Sequence, residues 1–292
     1  MKKIGFIGLG IMGKPMAENL INAGVELLVN DLNEDAVSEL EKLGATSSSV
    51  KEIGKQCDII FTMLPNGEIV NDILSEVLNH VEPETIFCDM SSITPIEAEN
   101  NHENCKRSNC EYVDAPVSGG EPGAIDGSLA FMVGGSEQVF EALKDYFDIM
   151  GSSAILVGET GSGSVTKLAN QIIVNNNIAV VSEALVFAKK AGADPNKVYE
   201  AIRGGLAGSS VLDAKAPKII NRDFTPGGKI SINHKDIKNV VNAAHEMDVP
   251  VPYTAQLFEI LQSLKVDNQL DKDHSAIVHH FEKLADAVVD PN

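Results

Sequence analysis

Basic residues are scarce in this chain of 292 residues: 23 Lys+Arg stand against 42 Asp+Glu, a formal net charge of -19 at pH 7. Such a surface repels a phosphate backbone over most of its extent, which excludes non-specific nucleic-acid binding. Cysteine is equally sparse. Cys57, Cys88, Cys105 and Cys110 fall at irregular spacings, which excludes a disulfide scaffold and a paired zinc motif and fits a reduced, cytoplasmic setting. No stretch approaches the ~20 apolar residues of a membrane span. The apolar run Ile4 to Met12 behind Lys2-Lys3 reads as a buried first strand and not a signal peptide, because Lys14 and Pro15 interrupt it and no A-x-A-like cleavage site follows. Tryptophan is absent, with ten Phe and four Tyr. What is present is globular: 43% hydrophobic and 22% charged residues, at a length that suits two domains or one enlarged α/β domain.

Up to about Gly161, short apolar runs alternate with helix-period segments, the pattern of βα units around a mainly parallel sheet. The runs are Ile4 to Ile7, Leu27 to Asn30, Asp58 to Met63, Thr85 to Asp89, Tyr112 to Ala115, Ala130 to Val133 and Ala154 to Val157. Beyond Gly161 the texture becomes helical. Gly163 to Lys190 holds no proline and predicts one helix of roughly 40 Å at 1.5 Å per residue, a wall between two domains. Further helices are expected over Pro195 to Arg203, Ser209 to Ile220, Ile232 to Met247, Thr254 to Leu264 and His274 to Val288. The expected division is 1–161, an α/β domain, and 162–292, an all-helical domain. Charge divides with it: residues 1–161 carry 9 Lys+Arg and 27 Asp+Glu, a net -18, whereas residues 162–292 carry 14 and 15, a net -1.

The first strand runs into Gly8-Leu9-Gly10-Ile11-Met12-Gly13 and then a helical pattern. Gly8 permits the tight turn, Gly10 lets backbone amides approach a pyrophosphate, and Gly13 allows close helix packing. Asn30 and Asp31 close the second strand. A carboxylate there accepts from the hydroxyls of an adenosine ribose and repels a 2′-phosphate, and Leu32 follows where an arginine would neutralise one. NADH is therefore expected in preference to NADPH. Asp31 also suits the N-cap of the next helix, near Asn33. The loops Met63-Leu64-Pro65-Asn66 and Ser91-Ser92-Ile93-Thr94-Pro95 should open on the same sheet edge, with Met63, Leu64, Pro65 and Thr94 as cofactor contacts, although both also read as ordinary helix starts.

Asp114-Ala115-Pro116-Val117-Ser118-Gly119-Gly120 ends a strand with a hydroxyl and two glycines that can present amides to an anion. In Gly161-Ser162-Gly163-Ser164-Val165-Thr166-Lys167-Leu168-Ala169-Asn170-Gln171, helical spacing places Lys167, Asn170, Gln171 and Val174 on one face. The seven histidines, His274 and His279 among them, lack ligand spacing and read as solvated or capping residues, with no metal implied. Neither G-x-S-x-G nor G-x-x-x-x-G-K-[ST] occurs, which disfavours nucleophilic hydrolysis and phosphoryl transfer.

FIGLGIMGKPMAENL at 6–20, DAPVSGG at 114–120, GSGSVTKLANQ at 161–171 and Asn233-His234-Lys235-Asp236 together resemble the β-hydroxyacid dehydrogenase (3-hydroxyisobutyrate dehydrogenase-like) family, in order along nearly the whole chain. Gly119 to Gly127, Arg203 to Ser209 and Val211 to Pro217 are similar to its tartronate semialdehyde reductase (2-hydroxy-3-oxopropionate reductase) branch. The resemblance implies a Rossmann-type doubly wound α/β domain, an all-helical domain behind a long helix, and an active site in the cleft between them. It implies reversible reduction of tartronate semialdehyde to D-glycerate with NADH. Lys167 would be the general acid/base, and Ser118, Gly119 and Gly120 would hold the substrate carboxylate. Asn170 would meet the substrate, and Lys235 would approach substrate and cofactor with Asp236 beside it. Family members with Arg after the second strand tend toward NADP, from which Asp31-Leu32 departs. A homodimer or homotetramer is implied as well. The alternatives are 3-hydroxyisobutyrate, succinic or glyoxylic semialdehyde as substrate, and a non-catalytic dinucleotide-binding sensor.

Overall fold

In the computed structural model, which describes residues 2–291, the chain divides into two compact units, Met1–Lys167 and Leu168–Asn292. The first unit runs β1 (Ile4–Ile7), α1 (Gly13–Asn22), β2 (Leu27–Asn30), α2 (Glu34–Lys42), β3 (Thr46–Ser47), α3 (Val50–Gln56), β4 (Ile59–Thr62), α4 (Gly67–Leu78), β5 (Ile86–Asp89), α5 (Pro95–Arg107), β6 (Glu111–Asp114), β7 (Val117–Ser118), α6 (Gly120–Asp126), β8 (Leu129–Gly134), α7 (Glu137–Met150) and β9 (Gly151–Gly158), and then enters α8 (Ser162–Lys190). The strands form one nine-stranded sheet in the order β3-β2-β1-β4-β5-β6-β8-β7, with β9 paired to β8. Its first six strands are parallel and follow the Rossmann order, which reverses between β1 and β4.

Strand residues alternate between the two faces. Phe6, Phe61 and Val113 join α1, α2 and α7 in one core. Ile7, Ile60, Phe87 and Tyr112 join α3, α4 and α5 in another. Burial on both faces is why these strands read as unbroken apolar runs. Beyond β6 the sheet departs from parallel, since β8 pairs antiparallel with both β6 and β7. The two-residue strands β3 and β7 are too short to show any period in sequence.

The division of the chain falls inside α8 and not at its start. The cause is close contact at Gly163: a Cβ there would lie 2.4 Å from the Met132 carbonyl oxygen and 2.5 Å from that of Asp114, so the first turns of α8 belong to the sheet unit. By length and composition α8 is apolar enough to cross a membrane, which corrects the expectation that no stretch comes near it. Half of the qualifying window is buried within the protein, as in the core helix of a globular fold.

The second unit holds the rest of α8, then α9 (Pro195–Ile202), α10 (Ser210–Ile220), α11 (Ile230–Glu246), α12 (Pro252–Val266), a 3-10 turn (His274–Ile277) and α13 (Val278–Ala285). Two apolar clusters hold it: Leu168 and Ile178 with α11 and α12, and Leu185 with α10 and Val289. The single helix expected over His274 to Val288 is thus two elements. Asp273 caps the 3-10 turn by accepting from Ser275 N at 3.0 Å, and Asp286, at φ +46°, ends α13 in the left-handed region.

Candidate active site

The glycine loop sits at the carboxyl end of β1, where the strand order reverses. Gly8 adopts φ +98°, and a Cβ on it would meet the Met63 carbonyl oxygen at 2.4 Å. A Cβ on Gly13 would come within 1.9 Å of the Gly8 oxygen, whereas one on Gly10 would point into open space. This is a backbone that a ligand can approach at Gly10, closed behind by β4. Helix α1 starts from Met12 with no side-chain cap and no acidic residue in its first turn; Lys14 N donates to Gly10 O at 3.1 Å and Pro15 has no amide, so an anion would meet the amides that precede Lys14. These residues fit a dinucleotide diphosphate.

Asp31 accepts from Leu9 N at 2.5 Å through one oxygen and from Asn33 N at 2.7 Å through the other. It ties the end of β2 to the glycine loop and keeps lone pairs for further donors. The N-cap of α2 is Asn33, which accepts from Asp35 N and Ala36 N, so the capping role considered for Asp31 falls two residues on. Asn30 donates its amide to Ser48 O at 2.7 Å. Beside the loop lies a depression of about 460 Å³ lined in part by Gly10, Ile11, Lys14, Asp35, Glu39 and Glu121. Lys14 there is paired to both Glu39 and Glu18.

The β4 and β5 loops are joined through Asp89. This carboxylate, 0% exposed, accepts from Thr62 Oγ1 at 2.8 Å and Ser91 N at 3.0 Å, while Ser91 Oγ accepts from Leu64 N at 2.8 Å. Burial pushes the Asp89 carboxyl above its ordinary range. Thr94 is the N-cap of α5 in a capping box with Glu97, its hydroxyl donating to Glu97 Oε2 at 2.8 Å, so it has only lone pairs left for a ligand.

Lys167 lies on α8 with its Nζ donating to Val117 O at 2.8 Å, directly before Ser118, Gly119 and Gly120. Gly119 (φ +138°) and Gly120 (φ +63°) both need backbone conformations that side chains disfavour. The structure therefore brings Lys167 to the loop that sequence offered as an anion holder. Asp114, 1% exposed, accepts from Gly161 N at 2.8 Å and Ser164 N at 2.7 Å. Burial, only partly offset by those hydrogen bonds, pushes its carboxyl up to about 6.

In the second unit the buried Gln171 donates to Asp236, which pairs with Lys235 Nζ at 3.1 Å. Asn170 donates to Gln171 Oε1 at 3.2 Å. Asn175 and His274 both bond the Asn233 amide, His274 Nδ1 at 2.7 Å. His274 is not the solvated or capping residue expected. Burial first, then the positive charge of Lys215, lowers its imidazole to about 4, so it is neutral at pH 7 and accepts through Nδ1. Sequence reasoning passed over Asp89, Asp114 and His274 as site-building residues. The available signal was an acidic residue closing an apolar strand, which Asp89 and Asp114 share with Asp31. Among the described residues no group of His, Cys, Asp and Glu could hold a metal. All four cysteines are free and buried.

Residues 3–158 match the family model of the NAD-binding domain of 6-phosphogluconate dehydrogenase, and residues 161–281 that of the NAD-binding domain of NADP-dependent 3-hydroxyisobutyrate dehydrogenase. The chain is 43% identical to 2-hydroxy-3-oxopropionate reductase of Escherichia coli K12, over 97% of this chain and 98% of that protein. It is 37% identical to 2-(hydroxymethyl)glutarate dehydrogenase of Eubacterium barkeri, over 97% and 95% respectively. A structure of Mycobacterium tuberculosis 3-hydroxyisobutyrate dehydrogenase with L-serine superposes at a TM-score of 0.90, with 30% identity over 96% of this chain and 98% of that one. With a Rossmann sheet, an all-helical second unit and these full-length matches, the chain belongs to the 3-hydroxyisobutyrate dehydrogenase-like family of NAD-dependent β-hydroxyacid dehydrogenases.

Proposed function

We propose that this enzyme reduces tartronate semialdehyde (2-hydroxy-3-oxopropanoate) to D-glycerate, reversibly, with NADH preferred over NADPH and Lys167 as general acid/base. The observation that carries the reading is the Lys167 ammonium, donating to the Val117 carbonyl next to Ser118-Gly119-Gly120. The 43% identity to 2-hydroxy-3-oxopropionate reductase supports the choice of substrate.

Ser118 and the amides of Gly119 and Gly120 hold the substrate carboxylate, so that the carbonyl oxygen lies within reach of Lys167 Nζ. As negative charge develops on that oxygen, the ammonium stabilises it and gives up a proton; in oxidation the neutral amine takes the alcohol proton. Bound NADH supplies the hydride. Gly8 to Gly13 hold its diphosphate on backbone amides, with Asn30, Met63, Leu64, Pro65 and Thr94 as additional contacts. Asp31 selects it: lone pairs free of Leu9 and Asn33 accept ribose hydroxyls, and its charge repels a 2′-phosphate. The salt bridges of Lys14 to Glu39 and Glu18 work in the same direction, because they occupy a cation near the loop.

Two experiments test this reading. The first follows NADH oxidation with tartronate, methylmalonate and succinic semialdehydes and glyoxylate, and the highest kcat/KM is expected for tartronate semialdehyde. The 30% identity and TM-score of 0.90 to a 3-hydroxyisobutyrate dehydrogenase make methylmalonate semialdehyde the second candidate. The second uses Lys167→Ala, expected to bind NADH normally and lose ~10²–10⁴-fold in kcat. A variant that keeps most of its turnover removes Lys167 from the chemistry.

A further inference from the structure

Helix α8 has no cap of its own. The residue before it is Gly161, which has no side chain, and the cap comes instead from the end of β6, 47 positions earlier for Gly161 N and 50 for Ser164 N. Asp114 supplies it with both oxygens, at 2.8 and 2.7 Å. The contact is built for closeness. A Cβ on Gly134 would lie 2.5 Å from Asp114 Oδ1, and one on Gly163 would lie 2.5 Å from Asp114 O and 3.0 Å from Asp114 Oδ2. Three residues beyond Asp114, Val117 O meets Lys167 Nζ at 2.8 Å, three residues beyond Ser164. The same short stretch of chain thus holds the helix at its first turn and receives the amine one turn later.

We infer that Asp114 is a positioning residue for catalysis: its carboxylate fixes the start of α8 against the β6 to β7 segment and so sets where the Lys167 amine stands relative to Ser118-Gly119-Gly120. A helix start needs only a neutral N-cap such as Ser or Asn for stability. A fully buried carboxylate is a costly substitute, as the upward displacement of its ionisation shows. What it adds is two simultaneous acceptors from one rigid strand end, which remove a rotational freedom that a single hydroxyl leaves. Misplacing a catalytic group by about 1 Å costs on the order of 10²-fold in rate.

This inference rests on Lys167 as the proton donor, and Lys167→Ala in parallel separates the two. The variants are Asp114→Asn, which replaces one acceptor oxygen by a donor, and Gly163→Ala, which displaces the helix start while the Asp114 carboxylate is kept. Each is expected to bind NADH with wild-type affinity in a fluorescence titration and to lose ~10–100-fold in kcat, with Asp114→Asn keeping its melting temperature within a few degrees and Gly163→Ala, which meets two backbone carbonyls, folding with a lower one. The solvent deuterium isotope effect on kcat should rise as proton transfer from a displaced amine becomes limiting. If Lys167→Ala is inactive but a folded Asp114→Asn turns over within twofold of wild type with an unchanged isotope effect, the inference falls and the reading of Lys167 stands. Failure of both variants to fold makes the contact structural and also overturns it. If Lys167→Ala itself keeps its turnover, the reading of Lys167 falls first.

Discussion

Glycines 8, 10 and 13 do three different things, and the difference sets three different penalties for adding a single carbon. Gly13→Ala drives a methyl group to 1.9 Å from the Gly8 oxygen, a clash between backbones with no flexible side chain to yield. Overpacking of this kind costs ~1–3 kcal/mol or more, and urea unfolding should show a loss of that size. Gly10→Ala meets nothing within 4 Å, so its stability is expected to stay within ~0.5 kcal/mol of wild type while NADH binding weakens. Asp114 makes a prediction about pH. Its carboxyl takes a proton near pH 6 in the folded protein but near its ordinary 3.8 when unfolded. The folded state therefore binds the proton first, and this group adds stability as pH falls from 7 through 6, the gain becoming complete only below the unfolded value of 3.8. The shift of about two units caps that gain at ~3 kcal/mol. In urea unfolding at pH 7.5 and 5, the stability of wild type relative to Asp114→Asn should rise on acidification; a fall would contradict the assignment.

Elements of the second unit respond with the opposite sign. His274, lowered to about 4, binds its proton less readily folded than unfolded, so the stability tied to its neutral form is lost as pH falls from about 6.5 through 4. Its Nδ1 accepts from Asn233 on α11, and protonation removes that acceptor. Between pH 7 and 5, hydrogen-exchange protection factors, corrected for the intrinsic pH dependence of amide exchange, should fall in α11 and the 3-10 turn before they do in the β1 to β6 strands. Helix α5 depends on local chemistry: Thr94 and Glu97 cap it reciprocally, and Thr94→Ala should cost ~1 kcal/mol. Helix α8 shows where reading elements from sequence stops. Its extent was plain from the unbroken run Gly163 to Lys190. Its first turns nevertheless belong to the sheet unit, because Gly163 packs on the carbonyls of Met132 and Asp114, a contact between positions far apart in the chain.

At the scale of the whole molecule, the net -18 of residues 1–161 faces an anionic cofactor. Association with NADH should therefore speed up as ionic strength rises from ~10 to ~150 mM, over which the screening length falls to ~8 Å. Stopped-flow fluorescence measures this, and a rate that falls with salt would show that local cations dominate. On α8, Ile173, Val180 and Phe187 recur every seven residues and are 68%, 55% and 75% exposed. Apolar side chains left in water at so regular a spacing form a contiguous exposed stripe along one face of the helix.

The sequence alone determined the βα alternation, the long helix, the glycine turn with Asp31, and the family, because each is written in local periodicity or in contiguous motifs. Tertiary structure decided what required distant residues to meet. It set the antiparallel β8, whose direction no local period encodes, and the link through Asp89 and Ser91 between the loops that follow β4 and β5. It set the half-buried His274 against Asn233, indistinguishable in sequence from a surface histidine. It also placed the Asp114 carboxylate under α8, where burial and hydrogen-bond geometry turn the last residue of a strand into the cap of a helix that begins almost fifty residues later.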